Sequence, residues 1–286
     1  MLFPGTVMLI IFSIIPMFGL IMAFQKFSPV YGIFGSPFVG LYNFKTLFFR
    51  SPNTMQVIFN TVYISVAKIL LGLIIPVVFA LLLNECRVHW FKRSMQTIVY
   101  LPNFLSWVIV AAMFSHIFSV TGIVNSMLLF FGLKEPIMFM ASNIWFRPIV
   151  ILTDVWKNFG FSAVIYIAAI TGIDLNLYEA ADIDGASRWQ KVKYVTLPGI
   201  LPTIILMATL SLGNVLNAGF DQIFNMYNPV VYQTGDILDT LVYRIGLVNM
   251  QYSLGTAVGL FKSIISIILI FLSYKLADKY AGYRIF

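Results

Sequence analysis

The sequence predicts an all-α transmembrane protein: six membrane-crossing helices forming one domain over residues 1–286. Three observations carry this. About 60% of the residues are apolar and about 10% are charged, against roughly 45–50% and about 25% in soluble domains. The apolar residues fall in six runs, each near the roughly 20 residues that a helix needs to cross the bilayer core. The runs are continuous, whereas barrel strands alternate over about ten residues. Only a helix or a closed barrel satisfies its own backbone in lipid.

The spans are placed at 5–25, 56–83, 95–119, 147–170, 200–224 and 254–275. The first begins close to Met1 without a basic leader or a small-residue cleavage site, so it reads as a span and not as a signal peptide. Pro16, Pro76 and Pro102 lie in or near spans, which membrane helices tolerate when neighbours satisfy the freed groups. Gly255 and Gly259 make a small-xxx-small pair in the last span, suited to close packing within the chain or between subunits.

Lys and Arg in the connections set the orientation. With both termini inside, the inner segments and their edges hold Arg87, Lys92, Arg93, Arg188, Lys191, Lys193, Lys275, Lys279 and Arg284. The longer outer segments hold Lys26, Lys45, Arg50, Lys134, Arg147 and Arg244. The bias therefore predicts cytoplasmic termini. The outer segments are rich in Pro, Gly and aromatics (Pro29, Gly32, Gly35, Pro37, Gly40, Trp145), and compact caps with short helices are expected there. The net charge of +7 is dispersed between apolar runs, without a basic patch interleaved with aromatics. That pattern excludes nucleic acid and leaves membrane lipid as the surrounding partner. Cys86 is the single cysteine, and His89 and His116 are the only histidines. No intrachain disulfide and no zinc cluster can form from them.

The most informative connection is 176–196. Asn176 and Glu179 have capping-box spacing, and so do Ser187 and Gln190. Gly185 stands between the two starts and can supply a positive-φ turn. Two short helices meeting at Gly185 are expected, with Pro198 and Pro202 at the entry to the fifth span. Ala180, Ala181 and Ala186 give the first helix a small face that another surface could approach closely. Arg188, Lys191 and Lys193 beside Trp189 and Val192 suit either a groove on a partner or the lipid headgroups.

Glu179-Ala180-Ala181, then Gly185, then Leu197-Pro198 resembles the EAA loop of ABC importer permeases, within the carbohydrate-uptake, maltose-type family and its oligosaccharide and polysaccharide branch. The resemblance extends over nearly the whole chain, through Ala23-Phe24-Gln25, Val39 to Phe44, Asn60-Thr61, Leu83-Asn84-Glu85, Tyr100-Leu101-Pro102, Asp154 to Lys157, Gly219-Phe220-Asp221 and Asn228-Pro229. Val192 departs from it where the family often has an aromatic, and Lys262 where the pattern is commonly uncharged. The resemblance implies a type I importer bundle with a cytoplasmic coupling-helix pair, in the plasma (inner) membrane of a prokaryote. It implies that Glu179, Ala180, Ala181, Asp184, Gly185 and Ser187 sit at or near an ATPase contact. The implied partners are a second, homologous permease chain, two ATP-binding subunits holding ATP and Mg, and an extracytoplasmic sugar-binding protein; this chain itself holds no cofactor.

Candidate pathway residues follow from polarity inside spans. Asn214, Asn217, Asp221 and Asn225 fall at i, i+3, i+7 and i+11 and would share one face of a continuous helix. Such a face serves interhelical hydrogen bonding or a sugar pathway. Trp107 and Trp156 could stack on sugar rings or pack at the interface. Lys68, Lys157 and Lys262 lie within spans. Asp154 is expected to pair with Lys157 three residues on, while Lys68 and Lys262 have no local carboxylate and either snorkel or face the pathway. In the second case they would favour an acidic, uronic-acid oligosaccharide. The chain lacks a G-x-x-x-x-G-K-[ST] phosphate loop and any nucleophile–base pair, so it is not an enzyme. The alternative to an ATP-driven permease is an ion-gradient-driven secondary transporter using Asp154, Asp221 and the lysines as a relay, but no inverted repeat supports it.

Overall fold

The computed structural model describes residues 2–51 and 53–281. Arg284, counted above among the inner charges, lies outside them, as does the side chain of Lys279. Helices cover the spans: α1 (Phe3–Phe24), α2 (Thr54–Glu85), α3 (His89–Phe104), α4 (Trp107–Ile117), α5 (Ile123–Phe130), α6 (Phe146–Thr171), α7 (Leu175–Ile183), α8 (Arg188–Leu212), α9 (Phe220–Met226), α10 (238–248) and α11 (Tyr252–Ala281). Among the described residues the only bridge of β type pairs Gln25 with Phe38.

Spans one, two and four fall within two residues of their expected positions, and the sixth starts two residues early and runs on to Ala281. Two others differ. The third is not one straight helix, because α3 and α4 meet at a 103° bend. Leu105 and Ser106 are extended there, and the Ser106 hydroxyl accepts from the Ile109 N–H at 3.4 Å to start the new helix. The fifth starts at Arg188 and stops at Leu212. Pro198 and Pro202 therefore lie inside α8 and not at its entry. The turn at Val192–Thr196 is widened, which relieves the clash of the Pro198 ring with the carbonyl one turn before it.

At the α7 end, Val77, Ala80, Tyr166, Ile170 and Ile200 join α2, α6 and the first half of α8. At the other end, Ile64, Ala111, Phe146, Ile149 and Ile223 form one cluster, and Leu47, Val57, Leu216, Leu238 and Val258 form a second. α1 carries large apolar residues outward, Phe3, Phe12 and Phe18 among them, as a helix facing lipid or another chain does.

Several motif residues hold the caps together. Asn43 Nδ2 donates to the Ala23 and Gln25 carbonyls, at 2.9 Å each. Asn60 Nδ2 donates to the Gln233 and Asp236 carbonyls at 3.1 and 3.0 Å. The Thr61 hydroxyl accepts from the Leu238 N–H at 2.9 Å. All three side chains are buried, and they supply partners to loop backbone that water cannot reach. Of the two glycines in α11, Gly255 packs inside the chain: a Cβ there would sit 2.7 Å from the Gly246 Cα, whereas one at Gly259 meets nothing within 4 Å.

The crossing of α3 and α6 is equally tight. A Cβ on Gly160 would sit 2.2 Å from the Val99 carbonyl oxygen. Gly160→Ala is expected to destabilise the purified complex by about 1–3 kcal/mol, while Gly259→Ala in an open stretch of helix leaves it unchanged or slightly firmer. Thermal unfolding of the two variants in one detergent checks this; equal melting temperatures would remove the argument.

Candidate functional site

The site is built on the break in the fifth span. Gly213 and Gly219 bracket residues 213–219, and Gly219 adopts φ +91° before α9 begins. A break of this kind frees backbone groups that the bilayer cannot satisfy. Lys68 on α2 meets that need. Its Nζ donates to the Ala218 carbonyl at 2.7 Å and to Gln222 Oε1, and lies 3.4 Å from Asp154 Oδ1 on α6. Gln222 Nε2 donates in turn to the Val150 carbonyl at 2.7 Å and to Thr153 Oγ1 at 2.8 Å. The Lys68 ammonium thus makes two hydrogen bonds and one ion pair.

The expected Asp154–Lys157 pair is not formed. Asp154 faces Lys68, and Lys157 instead donates to the Asn103 carbonyl at 2.7 Å with its Nζ 5.4 Å above the Trp107 ring. Lys262 is paired too, with Asp239 on α10. Neither Lys68 nor Lys262 is the unpartnered cation that the sequence suggested, because their carboxylates come from distant segments.

Beside the clamp lies a cavity of about 270 Å³. α2 contributes Ser65, Lys68 and Gly72, and α6 contributes Asp154, Asn158 and Ser162. The end of α8 and the break add Met207, Ser211, Asn214 and Asn217. Ser65 Oγ is buried and without a hydrogen-bond partner among the described residues. Asn158, Ser162, Ser65, Ser211 and Gln222 were not singled out from sequence. The first two repeat every four residues from Asp154, a polar stripe on an otherwise apolar helix that was available as a signal.

The four residues expected on one face divide into two pairs. Asn214 and Asn217 line the cavity. Asp221 and Asn225 lie beyond the break on the exposed side of α9, opposite buried Gln222, Ile223 and Met226; the helix that would have aligned all four is interrupted. Trp156 is two residues, about 200°, from both Asp154 and Asn158. It packs edge-on against Phe114 and lines an apolar pocket with Phe118, Phe139 and Trp145, so it is not beside the cavity. Trp107 lies under Lys157.

The 176–196 segment forms an elbow. Asp174, not Asn176, caps α7, its side chain accepting from the Asn176 N–H at 3.0 Å. Ser187 and Gln190 make the expected reciprocal capping box, and Gly185 has φ +74°. The second arm is not a separate short helix; it continues as α8. Glu179, Ala180, Asp184, Gly185 and Ser187 are exposed and Ala181 is half-buried. Ala180, Ala181, Asp184 and Gly185 line a hollow of about 450 Å³ with Lys191 and Tyr194. Lys191 pairs with Asp182 at 2.6 Å across the bend.

A second polar knot lies at the opposite end. Buried Asp236 accepts from both terminal nitrogens of Arg244, whose guanidinium sits 4.5 Å from the Tyr232 ring centroid. Burial works against the Arg244 charge, but the Asp236 hydrogen bond and charge outweigh it and raise its pKa. Burial, with Tyr232 beside it, pushes the Tyr227 phenol up to about 12.

A lipid-embedded bundle with a polar cavity at a broken helix, and an exposed elbow joined to that helix, defines a membrane transport subunit. Residues 72–281 match the family described as "Binding-protein-dependent transport system inner membrane component", and the chain belongs to this family. It is 39% identical over 281 residues, 98% of its own length and 87% of the relative's, to the "Polygalacturonan/rhamnogalacturonan transport system permease protein YteP" of Bacillus subtilis (strain 168). It is also 39% identical, over 98% of its length and 88% of the relative's, to "Protein LplB" of the same organism. Its fold matches a chain in the crystal structure of a bacterial ABC transporter involved in the import of the acidic polysaccharide alginate, at TM-score 0.91 and 37% identity over 98% of this chain and 94% of that one. A chain of a bacterial alginate ABC transporter, in complex with an alginate pentasaccharide-bound periplasmic protein, matches at TM-score 0.91 and 36% identity, over 100% of this chain and 95% of that one. The protein is a permease subunit of an ABC sugar importer, a multi-pass inner-membrane protein and not an enzyme.

The clamp yields a double-mutant test. Lys68→Met strands Asp154, Gln222 and the Ala218 carbonyl, and is expected to destabilise by about 3–5 kcal/mol. Adding Asp154→Asn should recover part of that loss, since the stranded charge is removed. The comparison is made by thermal unfolding of wild type, both single variants and the double variant; strictly additive losses would mean the two side chains do not interact.

Proposed function

We propose that this chain forms half of a sugar pathway whose contact surface is the cavity at the 213–219 break, and that the elbow at 176–196 is its cytoplasmic grip for an ATPase subunit, with both termini on the cytoplasmic side. The observation that carries this is the cavity itself: amides, hydroxyls and one carboxylate on three helices, ending on Asn214 and Asn217. These groups suit sugar hydroxyls, which donate and accept in fixed directions. Its volume of about 270 Å³ falls below the range of about 300–1,000 Å³ typical of complete small-molecule sites, as half of a shared pathway would. A second permease chain supplies the other half, two ATP-binding subunits hold ATP and Mg, and an extracytoplasmic binding protein delivers the sugar.

The mechanical link is α8. It runs unbroken from the Ser187 cap to Leu212, about 37 Å at 1.5 Å per residue. A displacement imposed at the elbow reaches the cavity wall as movement of one rod, which is the element that alternating access requires. The cargo is an acidic oligosaccharide, a reading supported by the polygalacturonan named for YteP and the alginate imported by the structural neighbour. In this chain the uronate carboxylates meet the amide donors of Asn158, Asn214 and Asn217, since Lys68, the lysine that lines the cavity, is already paired with Asp154.

Two kinds of variant separate grip from passage. Glu179→Lys or Gly185→Val is expected to abolish binding-protein-stimulated ATP hydrolysis and uptake, with the complex still inserted. Asn214→Leu with Asn217→Leu is expected to reduce uptake by at least about tenfold, the effect of roughly 1.4 kcal/mol in lost hydrogen bonding, while stimulated hydrolysis persists. Both are measured in proteoliposomes with oligogalacturonate and a neutral oligosaccharide of equal length. Full coupling in the elbow variants would exclude the grip, and unchanged uptake in the double variant would exclude the cavity.

A further inference from the structure

An apolar groove of about 490 Å³ lies where the last turns of α2 meet the first turns of α8. Val78, Leu81 and Leu82 form one wall, and Val192 and Leu197 the other. Trp189 stands at its mouth with 74% of its surface exposed. Arg188 and Lys193 flank the same mouth, and Glu85 sits on the opposite lip. All three are exposed. None of them makes an ion pair among the described residues, whose four pairs lie elsewhere. Lys193 rests over the Tyr194 ring at 5.0 Å. Lys191, the other cation of this turn, is neutralised by Asp182.

The groove is thus oily along its length and cationic at one end, and it opens where two spanning helices reach the membrane surface. An indole at that level suits the headgroup boundary, with its ring among chain ends and its N–H toward water. We propose that this groove binds an anionic phospholipid, one acyl chain lying between α2 and α8 and the phosphate held by Arg188 and Lys193. The two cations outnumber the single Glu85, so a headgroup with net negative charge is favoured over a zwitterionic one. The site joins the root of the elbow to α2, and an occupied groove would brace α8 where it leaves the elbow.

The test uses the complete importer in proteoliposomes, with part of the phospholipid replaced by bis-brominated phosphatidylglycerol or bis-brominated phosphatidylcholine at equal mole fraction. Trp189 emission is taken as the difference between the wild-type importer and one carrying Trp189→Phe. Quenching by the brominated glycerol lipid should set in at a mole fraction lower by a factor on the order of five, and Arg188→Gln with Lys193→Gln should erase that preference. Equal quenching by the two lipids would overturn the proposal, since Trp189 would then meet only ordinary boundary lipid. Absence of quenching by either would also overturn it, because the groove would be covered by another subunit.

Discussion

The structure depends on one constraint: a helix interrupted at membrane depth must have its freed backbone groups satisfied by its neighbours. At the break at 213–219, turn bonds within the loop pair the Asn214, Val215 and Asn217 amides. Lys68 on α2 supplies a donor to the Ala218 carbonyl, and Gln222 ties the start of α9 to α6 through the Val150 carbonyl. Asp154 balances the lysine charge from α6. Three helices are thereby fixed around one loop, and the polar cavity is the space beside that fixture. Packing alone would favour a straight, apolar fifth span. The break is retained at the expense of burying an ion pair, and ion pairs in such places seldom add net stability. What the break exposes is the pair of amides of Asn214 and Asn217, which line the cavity.

How far the sequence disclosed this divides along physical lines. Span count and position were legible because hydrophobic length is a one-dimensional property, and four spans fall almost where the runs do. The 103° bend between α3 and α4 was not, although Pro102 and the capping Ser106 mark it in retrospect. The fifth span was misplaced because its apolar run continues through Val215 and Leu216 into Ala218, while the helix ends at Leu212. Hydropathy cannot see a break whose residues remain mostly apolar. The polar face assumed for that span failed for the same reason: Asn214 and Asp221 share a face only if the helix between them is real. Pairing was the least legible property. Lys68 and Asp154 are 86 positions apart in the chain, and a helical-spacing rule assigned Asp154 to the wrong lysine.

The elbow was read more accurately because its determinants are local. A capping box acts over three residues and a positive φ over one, so Ser187, Gln190 and Gly185 declared themselves. The departure there is informative. Asp174 starts α7 two residues earlier than Asn176 would have, and α8 continues past Pro198 after a widened turn at Val192–Thr196. The second of the two short helices expected to meet at Gly185 is instead the first part of the single rod α8. What bends is the turn at 184–187, closed by the Lys191–Asp182 pair, and it is the segment an engaging subunit would touch first.

The pairing of Lys68 with Asp154 bears on how the proposed acidic cargo would pass. A pathway must bind its cargo firmly enough to admit it and weakly enough to release it. A buried, unpaired ammonium facing a uronate carboxylate at low dielectric would form a bond too strong for passage, since the same two charges attract several times more strongly there than in water. Lys68 avoids this by pairing with Asp154 and donating hydrogen bonds to the Ala218 carbonyl and Gln222 Oε1, and Lys157, which does not line the cavity, donates to the Asn103 carbonyl. The cavity then presents amide and hydroxyl groups, whose individual hydrogen bonds contribute about 0.5–1.5 kcal/mol net, and a carboxylate that disfavours tight capture of an anion. For the acidic cargo proposed above, such a cavity would pass the sugar without gripping its charge.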